Sequence, residues 1–469
     1  TWGAEATRRF NGMWAFAFFD ARERSILLSR DRYGKKPLYF LLDDDDFVVA
    51  SEYKAIFAVV GEARRRPNER FIEHFLQTGR WQPATYEASA YEGVRALPPG
   101  SSGIYRWDRH DLSVSPNNVL RDFLTAPEAT AAAVARDVAD AVALRLVADV
   151  PVGVLVSGGV DSSVVAAHAA GVHPAAWYTG ITDAGRDLGH ARTLARSLGV
   201  TLVEVDVRPR PGTLLETIAG MTALYEIPVW LNGNSIAMYQ MYRAMAADGI
   251  RVALDGTGGD EVFGGYFSKF ARNMVAGLVA DGRRLEAASF IASCWWHRHC
   301  DVRPLWRMLI DGAAGIAGLV EAQVTFIESG NLPHWLTMND LNAMGHSIEA
   351  RSPLLDYRLA QYVRLSPRDK FRHGFNKYLL RQSLPERVPR EIRWRRDKQG
   401  FRWRLADALP PIRDRVLDAV QSSSYLRDRH PAAVRRLHEG GEPHPLRLYA
   451  VAEFERSNAE RRSQGAVEP

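Results

Sequence analysis

Ser157-Gly158-Gly159-Val160-Asp161-Ser162-Ser163 follows an apolar, β-rich run at 152–156 and opens into the small, apolar run 164–170. The reading is a strand, a tight glycine turn and a helix N-terminus. Backbone N–H groups without a helical partner point outward there, and the helix dipole adds positive potential. Such a site suits an oxyanion, above all a phosphate. Two glycines let the backbone approach closely, and the hydroxyls of Ser157, Ser162 and Ser163 add donors. Asp161 is out of place beside phosphates unless a cation sits between them. Mg²⁺ takes carboxylate and phosphate oxygens together and resolves the conflict. No Lys follows the glycines, so the motif is not a Walker A loop.

Outward from this turn, strands and helices alternate. Strands are predicted at 152–156, 175–180, 202–207 and 252–254, with helices at 162–170, 188–198 and 235–247 between them. That order implies a parallel sheet covered by helices, with ligands at the carboxyl ends of the strands. A long Ala-rich helix is predicted over 126–146, and the chain beyond 260 reads as mostly helical. Before residue 115, short apolar runs at 13–19, 26–29 and 38–40 are set off by turn signals, which predicts a largely β region. The chain opens at Thr1 inside what reads as a helix feeding a strand, so this region is expected to begin upstream of the sequence given.

Bulk properties narrow the class. A net charge of +5 over 469 residues gives no strong nucleic-acid signal. The basic segment 370–404 carries aromatics but also Glu386, Glu391 and Asp397, which weakens a nucleic-acid reading further. Two cysteines, Cys294 and Cys300, do not make a disulfide framework and fit a reducing cytoplasm. The most apolar span, 308–327, contains Asp311 and Glu321 and reads as a buried helix rather than a membrane crossing.

A second loop, Asp255-Gly256-Thr257-Gly258-Gly259-Asp260-Glu261, follows the strand 252–254, with Phe263-Gly264-Gly265-Tyr266 behind it. Two acidic, glycine-packed loops at one sheet edge place Asp161 and Asp260 to share Mg²⁺ on the phosphates of a nucleotide.

Together, SGGVDSS and DGTGGDEVFGGY resemble the synthetase domain of the asparagine synthetase family, whose usual patterns are SGGxDSS and SG-acid-GxDExFxGY. FNGMWAFAFFD, SRDRYGKKPLYF and ASEYKAIF are similar to the second half of that family's N-terminal glutaminase domain. NAMGHSIEARSPLLD, NKYLLR and RWRRDKQGF match its helical region in order. The resemblance implies a PP-loop ATP pyrophosphatase fold of the α/β class, a parallel sheet flanked by helices with a helical C-terminal part. This is preceded by a truncated, mainly-β amidotransferase domain of the N-terminal nucleophile type. The expected boundaries are 1–115 and 116–469.

By position, the resemblance implies that Ser157, Gly158, Gly159, Asp161, Ser162 and Ser163 cradle the pyrophosphate of ATP, and that Asp161 and Asp260 hold Mg²⁺. Backbone at Leu155, Gly180 and Gly256 would hold the adenosine. Lys398 would neutralise charge developing on the phosphates, with Lys377 a second phosphate contact. Glu349 and Arg351 are expected to form a structural ion pair. The implied activity is an AMP-forming amide ligase: an aspartate-like carboxylate attacks ATP to give an acyl-adenylate, which ammonia from glutamine converts to the amide. A specialised amidotransferase or peptide cyclase acting on a larger substrate is the alternative. Small-molecule substrates, a cytoplasmic setting, no nucleic acid or membrane partner and a homodimer are the accompanying expectations.

Three departures qualify this. The family's glutaminase uses an N-terminal cysteine thiolate, whereas this sequence starts with Thr1; the expectation is a fragment of a longer protein or a draw on free ammonia. Thr257 stands where the family has an acid and ring-forming relatives have Tyr. It can hydrogen-bond at a catalytic position but cannot act as a base near neutral pH. Asn339 falls at the position of the cyclases' Glu. Finally, Asn232 and Asn234 could bind a carboxylate or amide, or Ser235 could cap its helix.

Overall fold

A computed structural model describes residues 2–81, 88–116, 120–171, 176–182, 186–229, 231, 233–297, 300–396 and 408–465. The strands β1 (Ala15–Asp20), β2 (Ser25–Arg30), β3 (Tyr39–Leu42), β4 (Phe47–Ala50), β5 (Val94–Ala96), β6 (Ser101–Arg106) and β7 (Asp111–Pro116) come first. They form two antiparallel sheets, ordered β1-β2-β6-β7 and β4-β3-β5. Helices α1 (Tyr53–Val60) and α2 (Glu69–Thr78) lie between β4 and β5 in sequence. Asn68 caps α2 by accepting from the Arg70 N–H, and Gly79, in the left-handed conformation, ends it.

The second region is built on β8 (Val152–Leu155), β9 (Ala176–Ile181), β10 (Leu202–Asp206), β11 (Val252–Leu254) and β12 (Glu349–Arg351). All neighbouring pairs are parallel, in the order β10-β9-β8-β11-β12. The chain therefore runs outward through β8, β9 and β10 and then returns to β11 on the other side of β8. That reversal between β8 and β11 is where open α/β sheets bind ligands. Both glycine loops leave the sheet at this point.

Helices cover the sheet. They are α3 (Ala131–Leu146), α4 (Val160–Ala169), α5 (Arg186–Leu198), α6 (Pro211–Tyr225) and α7 (Gly233–Ala247). One face packs Val152, Val154 and Leu254 against Val134, Val138, Val164 and Val165. The other packs Tyr178 and Ala253 against Met241, Tyr242 and Met245 of α7. Beyond β11 the chain continues as α8 (Gly259–Phe263), α9 (Phe267–Ala280), α10 (Arg284–Trp296), α11 (Arg303–Asp311), α12 (Leu319–Ser329) and α13 (Asn331–Met344). A core shared by Tyr39, Tyr53, Phe57 and Phe75 with Leu446, Tyr449 and Phe454 binds the N-terminal sheets to the C-terminal helix Pro445–Gly465.

The mostly helical reading beyond 260 and the β-rich N-terminal region agree with this architecture, but several elements differ in detail. The helix expected over 126–146 starts at Ala131, because the Thr130 side chain accepts from the Ala133 N–H, 3.1 Å away, and fixes the start. The span 308–327 is not one helix. It is divided between α11 and α12, with Gly312 and Gly315 at φ +94° and +75° between them. No helix among the described residues is long and apolar enough to cross a membrane. Helix α7 begins at Gly233, so Ser235 lies inside its first turn and does not cap it. Asn232 lies outside the described residues.

Candidate active site

The β8–α4 turn is held by its own hydroxyls. Ser162 Oγ accepts from the Ser157 N–H at 3.1 Å and lies 2.9 Å from Ser157 Oγ. Gly158 adopts φ +66°, and a Cβ there would lie 2.7 Å from the Ala191 backbone N, so the turn sits directly against α5. Ser163 is placed differently from the rest. It is fully buried within α4, and its Oγ has no hydrogen-bond partner among the described residues.

The β11–α8 loop meets this turn in close backbone contact. A Cβ on Gly256 would lie 2.7 Å from Ser162 N and 2.8 Å from Asp161 C, so only glycine lets the two loops touch. The contact brings Asp161 and Asp260 together. Lys377 Nζ lies 2.5 Å from an oxygen of each carboxylate. The Lys377 side chain is 4% exposed and Asp161 8%, while Asp260 is a quarter exposed. Lys377 holds this pose with φ +50°, a conformation that costs a non-glycine residue energy and marks a site that fixes its side chain.

Around these groups is a cavity of about 310 Å³. Leu155, Ser157, Asp161 and Ser162 line it from the first loop and Gly180 from β9; Gly256, Thr257 and Asp260 line it from the second loop. Met238 and Met241 of α7 and Trp335, Met338 and Asn339 of α13 supply the opposite wall. A smaller cavity of about 160 Å³ shares Asp260 with it and is lined by Gly159, Lys377, Arg381, Arg395 and Arg396. Arg395 also pairs with Asp187. Lys398 lies outside the described residues.

Beneath the loops the polar groups are buried and matched. Burial, and then the neighbouring Asp260, push the Glu261 carboxyl up to about 7. Tyr266 Oη donates to Glu261 Oε1 at 2.8 Å. Gln323 Nε2 donates to the Glu261 carbonyl at 2.8 Å, and its amide oxygen accepts from Lys370. Burial lowers the Lys370 ammonium to about 7. Glu349 and Arg351 form the ion pair expected of them, at 2.7 Å, and Arg351 also donates to the carbonyls of Arg145 and Val147.

One carboxylate escaped the sequence reading. Asp255 lines the cavity, is 6% exposed, and accepts from the Thr257 N–H (2.9 Å), Ser352 Oγ (2.8 Å) and Asn339 Nδ2 (2.6 Å). Ser352 in turn accepts from Lys35 Nζ at 2.7 Å, which ties the N-terminal region to the loop. The available signal was the departure itself, since the family pattern opens with Ser where this chain has Asp255.

Two carboxylates that meet at the Lys377 ammonium fit Mg²⁺, which commonly takes one or two carboxylates and completes its shell with phosphate oxygens and water. Among the described residues no group of three or more His, Cys, Asp or Glu side chains is arranged to hold a metal.

Comparison with known proteins identifies the family. The family model described as asparagine synthase matches residues 133–456, and that described as glutamine amidotransferase domain matches residues 1–116. The chain is 26% identical over 429 residues to Escherichia coli asparagine synthetase B (glutamine-hydrolyzing), covering 86% of this chain and 63% of that protein. It is 28% identical over 289 residues to a putative asparagine synthetase (glutamine-hydrolyzing) 2 of Methanocaldococcus jannaschii, covering 57% and 52%. It is 26% identical over 485 residues to the Gibberella zeae protein named amidase chry2, covering 83% and 69%. The chain thus spans between about half and a little over two thirds of the length of these relatives. With the matched synthase region extending over well more than half of its residues, the chain belongs to the asparagine synthase family.

Proposed function

We propose that this chain carries the synthetase centre of an ATP-dependent, AMP-forming amide ligase. The observation that carries the reading is the single Lys377 ammonium touching both Asp161 and Asp260 where two glycine loops meet at the sheet's reversal point. A cation-binding pair at a helix N-terminus is the arrangement that a magnesium polyphosphate requires. In this reading Leu155, Gly180 and Gly256 hold the adenosine, and Ser157, Gly159 and Ser162 face the phosphates. Asp161 and Asp260 would hold Mg²⁺, which when bound offsets the charge of the polyphosphate.

The chemistry is an encounter of like charges. An acceptor carboxylate oxygen attacks the α-phosphorus, pyrophosphate leaves, and an acyl-adenylate forms; an amine then attacks the carbonyl and AMP departs. Lys377, Arg381, Arg395 and Lys398 lower the first barrier by spreading negative charge on the departing pyrophosphate. Aspartate or a similar acid is the proposed acceptor, with nitrogen from glutamine through the amidotransferase-like segment. Thr257 and Asn339, where relatives carry acids or a Tyr and Glu pair, keep a larger acceptor as the second reading.

ATP–pyrophosphate exchange, with aspartate and then other acids as acceptor, tests the proposal. Asp161→Ala and Lys398→Ala are each expected to remove exchange while the melting profile stays cooperative. The loss of one well-placed donor of this kind is worth roughly a hundredfold to a thousandfold in rate. Wild-type exchange rates in either folded variant would overturn the assignment.

A further inference from the structure

We propose that Asp255 is the group that takes the proton from the attacking amine in the second half-reaction, replacing the acid that positions 257 and 339 lack. This rests on the ligase reading. Thr257 and Asn339 both line the cavity, and neither side chain can act as a base near neutral pH. The loop has nevertheless kept a carboxylate, two residues earlier, on the wall of the same cavity.

The described surroundings of Asp255 hold it in one orientation, and among the described residues three hydrogen bonds reach it. Its Oδ1 takes two hydrogen bonds, from the Thr257 N–H and the Ser352 hydroxyl. Its Oδ2 takes one, from Asn339 Nδ2. An ionised carboxylate offers about four lone-pair positions, so with the described residues taking three, Oδ2 has one for an incoming N–H. Asn339 is itself fixed, because Tyr242 Oη donates to its Oδ1 at 2.7 Å and turns the amide N–H₂ toward Asp255.

The charge is compensated from behind. Lys35, 3% exposed, donates to Ser352, and the adjacent Lys36 pairs with Asp340 at 2.8 Å. Burial lowers the Lys35 ammonium, while Asp255 and Asp340 raise it. Among the described residues, the titratable groups that feel the charge of Asp255 are Lys35 from the N-terminal region and Tyr242 from α7. A buried lysine set against a buried aspartate across two parts of the chain is costly to assemble for loop shape alone.

The step balances as follows. The amine nitrogen forms a bond to the acyl carbon, and the bond from that carbon to the AMP phosphate oxygen breaks with its electron pair leaving on AMP. The nitrogen's surplus proton passes to Asp255 Oδ2 and from there to water.

The test separates the two half-reactions in Asp255→Asn, which keeps the shape of the side chain. The chain is supplied with ATP, Mg²⁺ and the first acid found to drive exchange in the unaltered protein, starting from aspartate. Exchange and trapping of the adenylate by hydroxylamine, largely unprotonated at neutral pH, are expected to persist. Amide formation from ammonium is expected to fall by roughly 10²- to 10⁴-fold, the usual size of a general-base contribution. Moving the acid, Asp255→Ser with Thr257→Glu, is expected to restore amide formation. If Asp255→Asn does not fold, this double variant is read in its place.

Wild-type amide formation in Asp255→Asn, or equal loss of exchange and amide formation, would overturn the proposal and leave the ligase reading standing. So would a folded double variant that exchanges pyrophosphate yet makes no amide. Absence of exchange in the unaltered chain with every acid tried would overturn both.

Discussion

Replacing Lys377 by Met isolates the contribution of the ammonium between the two carboxylates. Lys377 and Asp161 are almost wholly buried and Asp260 three-quarters so. Removing one partner of a buried pair leaves an uncompensated charge, at a cost of about 3–5 kcal/mol. The partial exposure of Asp260 places the expected loss at the lower end, about 3 kcal/mol, since water screens that arm of the contact. In a chain of 469 residues that is a fall in Tm of only about 3 °C. The assay is calorimetric or circular-dichroism melting near neutral pH, with and without millimolar Mg²⁺. Mg²⁺ is expected to raise the Tm of Lys377→Met more than that of the unaltered chain, because the Lys377 ammonium no longer competes for Asp161 and Asp260. A metal present at a hundredfold its Kd adds about 2.7 kcal/mol, enough to recover most of the loss. An unchanged Tm would show that the pair contributes nothing to the fold. Equal Mg²⁺ shifts in the two proteins would show that these carboxylates do not receive the metal.

Lys370→Met tests the buried lysine beneath the second loop. With its folded-state value lowered to about 7, the unfolded chain holds a proton between about pH 7 and the ordinary lysine range that the folded chain does not. Stability of the unaltered protein should therefore rise with pH across that window and be lower below it, and Lys370→Met should flatten the rise; urea midpoints at a series of pH values measure it, and parallel curves would refute it. Gly256→Ala should force apart the two loops, because the new Cβ would press on the backbone at Ser162 and Asp161. Overpacking of this kind costs roughly 1–3 kcal/mol, and pyrophosphate exchange should be lost with it; exchange at the wild-type rate in a folded Gly256→Ala would show that the contact is dispensable.

The two loops were legible in the sequence because phosphate-binding geometry is encoded locally. A strand end, a left-handed glycine, a helix N-terminus and a carboxylate fall within seven consecutive residues, and each has a side-chain or backbone reason to be there. The parallel sheet followed from the alternation of apolar strands with helices. What escaped was encoded across distance or too briefly. Lys377 was expected to meet phosphate, but its place between Asp161 and Asp260 depends on a contact across 216 positions. Helix α6 is an exception, for its buried Leu214, Ile218, Met221 and Tyr225 recur at i, i+4, i+7 and i+11 on one face and the pattern was there to be read. Strand β12 is three residues long and gains its meaning only beside β11. Asp255 was visible as a departure from pattern, yet its partners Lys35 and Ser352 lie in separate parts of the chain.

The two cavities divide the charge of the site in a way that bears on the order of events under the ligase reading. Asp161, Asp187, Asp255, Asp260 and Glu261 line the larger one, together with an apolar wall. Lys377, Arg381, Arg395 and Arg396 line the smaller one, and Asp260 belongs to both. A nucleotide placed with its adenosine against Leu155 and Met241 would direct its outer phosphates toward the basic side. The bond to be broken then lies at the boundary, beside Asp161 and Asp260. Once it breaks, pyrophosphate is held by cations and the acyl-adenylate by apolar and carboxylate groups, so the two products are drawn to different chambers. The reverse reaction needs them in one place. An amine, in contrast, enters a chamber lined by carboxylates, which accept hydrogen bonds from its N–H groups, and its free form meets the adenylate after pyrophosphate has withdrawn. The same partition explains why a base for the second step belongs at Asp255: on the acidic side of the boundary a carboxylate can accept a proton without neutralising the cations that hold pyrophosphate.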